Sequence, residues 1–256
     1  MKNLKKYFTR YSITAFILIG ILLYSGVGAL RINIPQYLAA RKFIELKIDN
    51  GIDKISADDA LKFGNEPNKE LTKLYKKNKD FVAWLSIPKT PIDYPVMKSA
   101  EDNPEFYLHH GFDKKYSDPG SLFIGQGCDE NSDVFVVYGH NMNADTMFGT
   151  LDDYENPGFA TKNPDIIFRT IKDTRVYRVF AAFRTKIYKN STNNYEYYNS
   201  VGDLDKEEYD DVVNNIRKLS IISLNEAPKN KEQIILLSTC AYHTNEGRFV
   251  VAAYKK

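Results

Sequence analysis

No charged residue occurs between Tyr11 and Leu30, and this twenty-residue, mostly apolar run constrains the chain more than any other feature. At 1.5 Å per residue it makes a helix about 30 Å long, which matches the thickness of a bilayer hydrocarbon core. Lys2, Lys5, Lys6 and Arg10 precede it and only Arg31 follows closely. That bias predicts a cytoplasmic N-terminus and an exported body, held at the cell membrane by a single transmembrane helix. A cleaved signal peptide, with Val27, Gly28 and Ala29 as its small-residue site, is the alternative. The run exceeds the usual ~7–15-residue core of such a peptide, which favours an uncleaved anchor. The chain then divides into a basic tail (1–10), an anchor (11–30), a helical lead-in (31–80) and a β-rich body (81–256).

Charge follows the same division. Five of the 35 basic residues lie within residues 1–31, where there is no acid, leaving 30 against 33 acids, or about −3, for the exported part. A nucleic-acid partner therefore lacks its electrostatic footprint. With 43% hydrophobic and 13% aromatic residues the body can bury a full core, which excludes wholesale disorder. Eighteen Tyr and fifteen Phe beside four Met lean toward β-structure.

In the lead-in, Leu38, Phe43, Ile44 and Ile48 have amphipathic spacing that ends near Asn50-Gly51. Ser56 with Asp59 reads as a capping pair. Asn68 reads as the cap of a helix whose Leu71, Leu74 and Tyr75 share a face. Lys73, Lys76, Lys77 and Lys79 read as a solvated face, with a membrane-surface role as the alternative.

After Asp80 the texture changes to short apolar runs bounded by turn residues: 81–87, 92–96, 121–124, 133–138, 165–170, 175–187, 233–239 and 248–254. Eight such strands predict a closed or nearly closed barrel. One helix interrupts them, capped by Asp205 with Glu208 and turning Val212, Val213, Ile216 and Leu219 inward. Residues 189–203, rich in Asn, Tyr and Ser, read as a long surface loop.

Chemistry concentrates at strand ends. His140 follows the apolar strand Val134–Tyr138 and Gly139, a rigid platform for a positioned side chain, whereas His109 and His110 share a polar loop that faces water. Cys240 ends one apolar run and Arg248 heads the next. If those runs pair antiparallel through residues 241–247, thiol and guanidinium meet at one rim. A thiol nucleophile, a histidine proton donor and an arginine fork for a developing oxyanion are the parts of an acyl transfer. A buried structural role for Cys240 and a solvent-facing or thiol-facing His243 remain open on spacing alone. Cys128 lies in a loop, and an exported chain with two cysteines leaves a Cys128–Cys240 disulfide open. A zinc site is disfavoured because no paired C-x₂-C or H-x₃-H accompanies Cys240 and His243.

The segments Ile92-Asp-Tyr-Pro-Val96, Tyr138-Gly-His-Asn-Met142 with Met147-Phe148, and Leu237-Ser-Thr-Cys240 with Arg248-Phe-Val-Val251 resemble those of a class B sortase. The resemblance covers about residues 70–256. It implies a mainly β (α+β) fold: an eight-stranded sortase-type barrel with N-terminal helices and one long inserted helix, matched here by residues 205–219. It implies a cysteine transpeptidase that cuts the C-terminal sorting signal of secreted proteins through a thioacyl-enzyme and joins them to a cell-wall peptidoglycan amine. Carried over by position, Cys240 is the nucleophile, His140 the general acid/base and Arg248 the oxyanion or substrate clamp. Ser238, Thr239, Tyr242 and Leu108 then fall at the substrate. Tyr242 stands where some members of the class carry an aspartate. No metal or organic cofactor is needed for this chemistry, and no acidic cluster marks a calcium site. A pilin-polymerising enzyme on the same scaffold, a cysteine hydrolase, and an anchored binding domain with a Cys128–Cys240 disulfide are the alternatives.

Overall fold

The structure is a computed structural model that describes residues 18–22, 24–25, 34 and 36–256, apart from 63, 143–144, 188–193, 225 and 242–245. Most of the expected span 11–30 lies outside the described residues, as do Tyr242 and His243. Among the described residues no helix is long and apolar enough to cross a membrane.

Eight strands close into a barrel. They are β1 (Phe81–Ser86), β2 (Asp93–Met97), β3 (Leu122–Ile124), β4 (Val134–Tyr138), β5 (Asp165–Thr170), β6 (Thr174–Lys186), β7 (Ile234–Cys240) and β8 (Gly247–Lys255). Around the wall they run β1-β2-β3-β4-β7-β8-β6-β5, and β5 closes on β1. Each lies within about a residue of its expected run, because turn residues bound each short apolar run on both sides. Two neighbouring pairs, β2/β3 and β4/β7, are parallel and need long crossovers. The β4-to-β7 crossover carries β5, β6, the loop before residue 205 and the inserted helix.

Helices cover the wall. The first, α1, spans residues 36–50; α2 (Ala57–Lys62), α3 (Lys69–Lys77), α4 (Pro157–Lys162) and α5 (Lys206–Leu219) follow. Strand alternation splits the core into two layers. Ala83, Leu85 and Val96 join the interior cluster with Val134, Phe135, Leu236 and Val251, whereas Phe81, Trp84 and Met97 pack outward with Leu71 and Leu74 of α3. The Trp84 indole donates to the Asp93 carboxylate (2.7 Å), which satisfies its buried N–H.

The expected capping box of α5 is present: Asp205 Oδ1 accepts from the Glu207 and Glu208 amides, and Glu208 accepts from the Asp205 amide. The buried stripe is Tyr209, Val212, Val213 and Ile216, while Leu219 is largely exposed at the helix end and Ile222 takes the buried place beyond it. Ser56 caps the Asp59 amide as its spacing suggests (3.1 Å). Lys73, Lys76, Lys77 and Lys79 are exposed, in keeping with a solvated face.

Two expectations are corrected. In α1 the face packed on the body is Ala39, Phe43, Leu46 and Asn50, whereas Leu38, Ile44 and Ile48 are exposed on the opposite side. Phe43 is drawn in by an edge-to-face contact with Tyr94 (5.6 Å) and Lys47 by Asp93 (2.5 Å), partners that helical periodicity cannot reveal. Asn68 occupies the N-cap position of α3, but its side chain caps nothing. Its amide donates to the Thr170 (2.7 Å) and Asp173 (3.1 Å) carbonyls, and its oxygen accepts from the buried Arg169, which also pairs with Glu70.

Asn68 is therefore a tie between the lead-in and the β5–β6 turn. Asn68→Ala takes one acceptor from the buried Arg169 and one donor from the Thr170 carbonyl and is expected to cost about 2–3 kcal/mol. Asp205→Ala, which removes a true cap, is expected to cost about 1 kcal/mol. Chemical denaturation of the two variants side by side checks the order.

Candidate active site

The ladders bring the candidate residues together. In the β7/β8 pair Cys240 is the direct partner of Arg248, so the two lie side by side at the strand ends. In the parallel β4/β7 pair Tyr138 is the partner of Ser238, and continuing that register sets position 140 beside position 240. Three bonds hold the continuation: the Gly139 amide donates to the Ser238 carbonyl (3.1 Å), Thr239 Oγ1 to the Gly139 carbonyl (2.7 Å), and Asn141 Nδ2 to the Cys240 carbonyl (3.0 Å). Gly139 is required by space. A Cβ there would lie 2.4 Å from Leu122 Cδ2 and 2.7 Å from Phe148 Cδ2, so a larger residue would force these two buried side chains to shift.

Cys240, His140, Arg248, Ser238, Thr239 and Leu108 line one cavity of about 770 Å³. Cys240 is half-buried, and both cysteines are free thiols, with Cys128 buried against the Gly125 carbonyl. The disulfide alternative is thus not adopted. Burial pushes the Cys128 thiol up, which makes it a poor thiolate at neutral pH.

His140 Nε2 sits 3.0 Å from the Leu108 carbonyl oxygen. A carbonyl only accepts, so Nε2 keeps its hydrogen in both charge states and Nδ1 is the nitrogen that takes up and gives up a proton. Burial first of all, with His109 and Arg248 adding positive charge nearby, holds the His140 imidazole below its ordinary value against the pull of the Leu108 carbonyl. Its neighbour His109 is exposed as expected, its ring centroid 5.4 Å from that of His140. His110 departs from expectation: it stacks on Phe106 at 3.9 Å, with Nδ1 2.6 Å from the Phe106 carbonyl. Arg248 donates through Nη1 to the Gly247 carbonyl (2.9 Å), and Nη2 lies 3.7 Å from Glu246.

The hydroxyls of Ser238 and Thr239 are already engaged. Ser238 is fully buried and shares a 2.7 Å hydrogen bond with Tyr197, which fastens the loop before α5 to β7. That loop supplies Tyr198, Asn199 and Val201 to the cavity wall, and Gly125–Gly127 supply another stretch. Sequence reasoning flagged the loop by its length alone. Nothing local marks Tyr197, because its partner lies 41 residues away.

A closed barrel with a half-buried thiol, a histidine and an arginine at one rim is the layout of a cysteine acyltransferase. The family model described as Sortase domain matches residues 85–256, and the chain belongs to the sortase family. Sortase B of Listeria monocytogenes is 30% identical over 254 residues, covering 96% of each chain. Sortase B of Staphylococcus aureus is 28% identical over 187 residues, covering 70% of this chain and 72% of that one. The crystal structure of sortase B from B. anthracis superposes with a TM-score of 0.71 over 88% of this chain and 99% of its own, at 22% identity, which speaks to the fold. These relatives place the chain in class B, as a cysteine transpeptidase.

The lowered His140 value has a thermodynamic consequence. Below about 6.5 the unfolded chain binds a proton at this imidazole that the folded chain resists. Stability that His140 contributes above that pH is lost as pH falls through 6.5 toward the folded value. NMR titration is expected to show His140 as the Nε2–H tautomer with a midpoint below 6.5, and His140→Asn to flatten the pH dependence of stability in that window.

Proposed function

We propose that Cys240 is the nucleophile of this transpeptidase, His140 its acid/base and Arg248 its oxyanion clamp. The shared rim fixed by the β4/β7 and β7/β8 ladders is the observation that carries the proposal. The Cys240 thiolate attacks a threonine carbonyl of a C-terminal sorting signal, and the carbonyl oxygen gathers negative charge against the Arg248 fork. The imidazolium of His140 gives its Nδ1 proton to the leaving amine, and the C–N bond breaks to leave a thioacyl-enzyme. An incoming amine passes a proton to Nδ1, its nitrogen takes the acyl group, and the thiolate departs. The acceptor is a peptidoglycan amine. Water in its place gives hydrolysis.

Ordinary thiol and imidazole values leave on the order of 1% of molecules as thiolate and imidazolium together near pH 7. The downward shift of His140 makes that share smaller, so positioning must supply much of the rate. Leu108, Ser238 and Thr239 form the floor and wall of an extended-peptide groove, and the substrate role of Tyr242 rests on the family resemblance alone. Residues 11–30 anchor the enzyme, residues 1–10 remain cytoplasmic, residues 31–80 form the lead-in, and the catalytic body from residue 81 faces outward.

A library of threonine-containing signal peptides with a small amine acceptor tests the assignment. Cys240→Ala is expected to abolish product, Cys128→Ala to retain it, and Arg248→Lys to lower kcat by about 10²–10³ with little change in KM. The acid limb of kcat/KM is expected below pH 6.5, following His140. Loss of activity in Cys128→Ala with Cys240→Ala active would overturn the assignment.

A further inference from the structure

Exposed apolar side chains are not spread evenly over this molecule. Among the described residues, ten of the fourteen large hydrophobics that are exposed fall between Leu18 and Ile48. Five of them, Ile34, Tyr37, Leu38, Ile44 and Ile48, are 49–72% exposed in and just before α1. Their spacing puts them along one side of a helix, opposite the Ala39, Phe43 and Asn50 face that packs on the body. A helix that needed only to cover the barrel would turn polar residues outward. This one turns five large apolar side chains outward, set among Arg41, Glu45 and Asp49.

We infer that the outer face of α1 lies on the bilayer surface, at the boundary of anionic headgroups and acyl chains. The inference rests on reading residues 11–30 as a membrane anchor. Only residues 31–35 separate Leu30 from α1, and five extended residues reach at most about 18 Å. The helix itself is about 22 Å long, so an anchored chain holds it beside the membrane. Charge selects the bilayer over a second copy of the chain. Arg41 sits in the middle of the stripe, between Tyr37 and Ile44, and pairs with Glu45 at 2.8 Å. Across a symmetric helix pair Arg41 would meet its own copy. At a membrane, Arg41 meets anionic phosphates while Ile44 and Ile48 reach the acyl boundary. Tyr37, with an apolar ring and a polar tip, suits the same depth.

The contact would orient the enzyme. The inner face of α1 and residues 111–113 line a common cleft, and Lys42 reaches Asp113 at 3.6 Å. Residues 105 and 108 of the same stretch line the catalytic cavity. Seating α1 on the bilayer thereby fixes which side of the cavity faces the membrane.

The test uses the full chain carrying Cys240→Ala, reconstituted in phosphatidylglycerol–phosphatidylethanolamine vesicles. A nitroxide is placed at Ile44→Cys or Ile48→Cys, with exposed Lys218→Cys on α5 as reference. Oxygen accessibility relative to a water-soluble nickel complex is expected to be several-fold higher at 44 and 48 than at 218. Values equal to those at 218, in chains that resist alkaline carbonate extraction, would overturn the surface contact while leaving the anchor in place. Extraction by carbonate would overturn the anchor, and the inference with it. Spin–spin broadening at 44 that vanishes on dilution with unlabelled chain would assign the face to a second copy instead.

Discussion

The parallel pairing of β4 with β7 is the constraint on which the site depends. A parallel neighbour cannot be reached by a tight turn, so the chain crosses over between Tyr138 and Ile234, building β5, β6 and α5 before it returns beside β4. Register then does the positioning. A slip of one residue would carry position 240 away from position 140 and turn it to the other face of the sheet. The antiparallel β7/β8 pair adds Arg248 by the same logic. Gly139 admits the chain between Leu122 and Phe148, and the bonds from Thr239 and Asn141 keep the two strand ends in step past the last ladder pair.

The proposed reacting groups and the groups that enclose them are built differently. Cys240 and Arg248 belong to strands, and His140 lies two residues beyond one, so a packed barrel limits their motion. The cavity walls come from loops, and two of their ties reach the site itself. Tyr197 fastens one to Ser238, and the Leu108 carbonyl joins another to the imidazole of His140. In the proposed mechanism the second tie links substrate enclosure to proton chemistry, because the atom that fixes the tautomer lies on a residue that also lines the cavity. Movement of the 106–110 stretch on peptide binding would be felt directly at Nδ1.

Strands were legible in the sequence because each is a short apolar run between turn formers, and β6 showed its length as a long uninterrupted run. The α5 cap was legible for the same local reason, Asp205 and Glu208 standing three apart. Cys240, His140 and Arg248 could be selected because each marks the end or start of an apolar run. What escaped depends on distant partners. Asn68 looks like a cap and serves Arg169, about a hundred residues on. Tyr197 looks like one tyrosine among many in a polar loop. The buried face of α1 was misread because the helix carries apolar residues on both sides, and periodicity alone cannot say which side meets the body.

The most direct test of the account is the mass of the covalent intermediate. Enzyme mixed with a cleavable signal peptide, without acceptor amine, is quenched in acid and mapped by proteolysis and mass spectrometry. The account expects one acyl group, equal in mass to the peptide up to its threonine, on the fragment that contains Cys240. The same adduct on the Cys128 fragment, or turnover with no adduct on any cysteine, would contradict it.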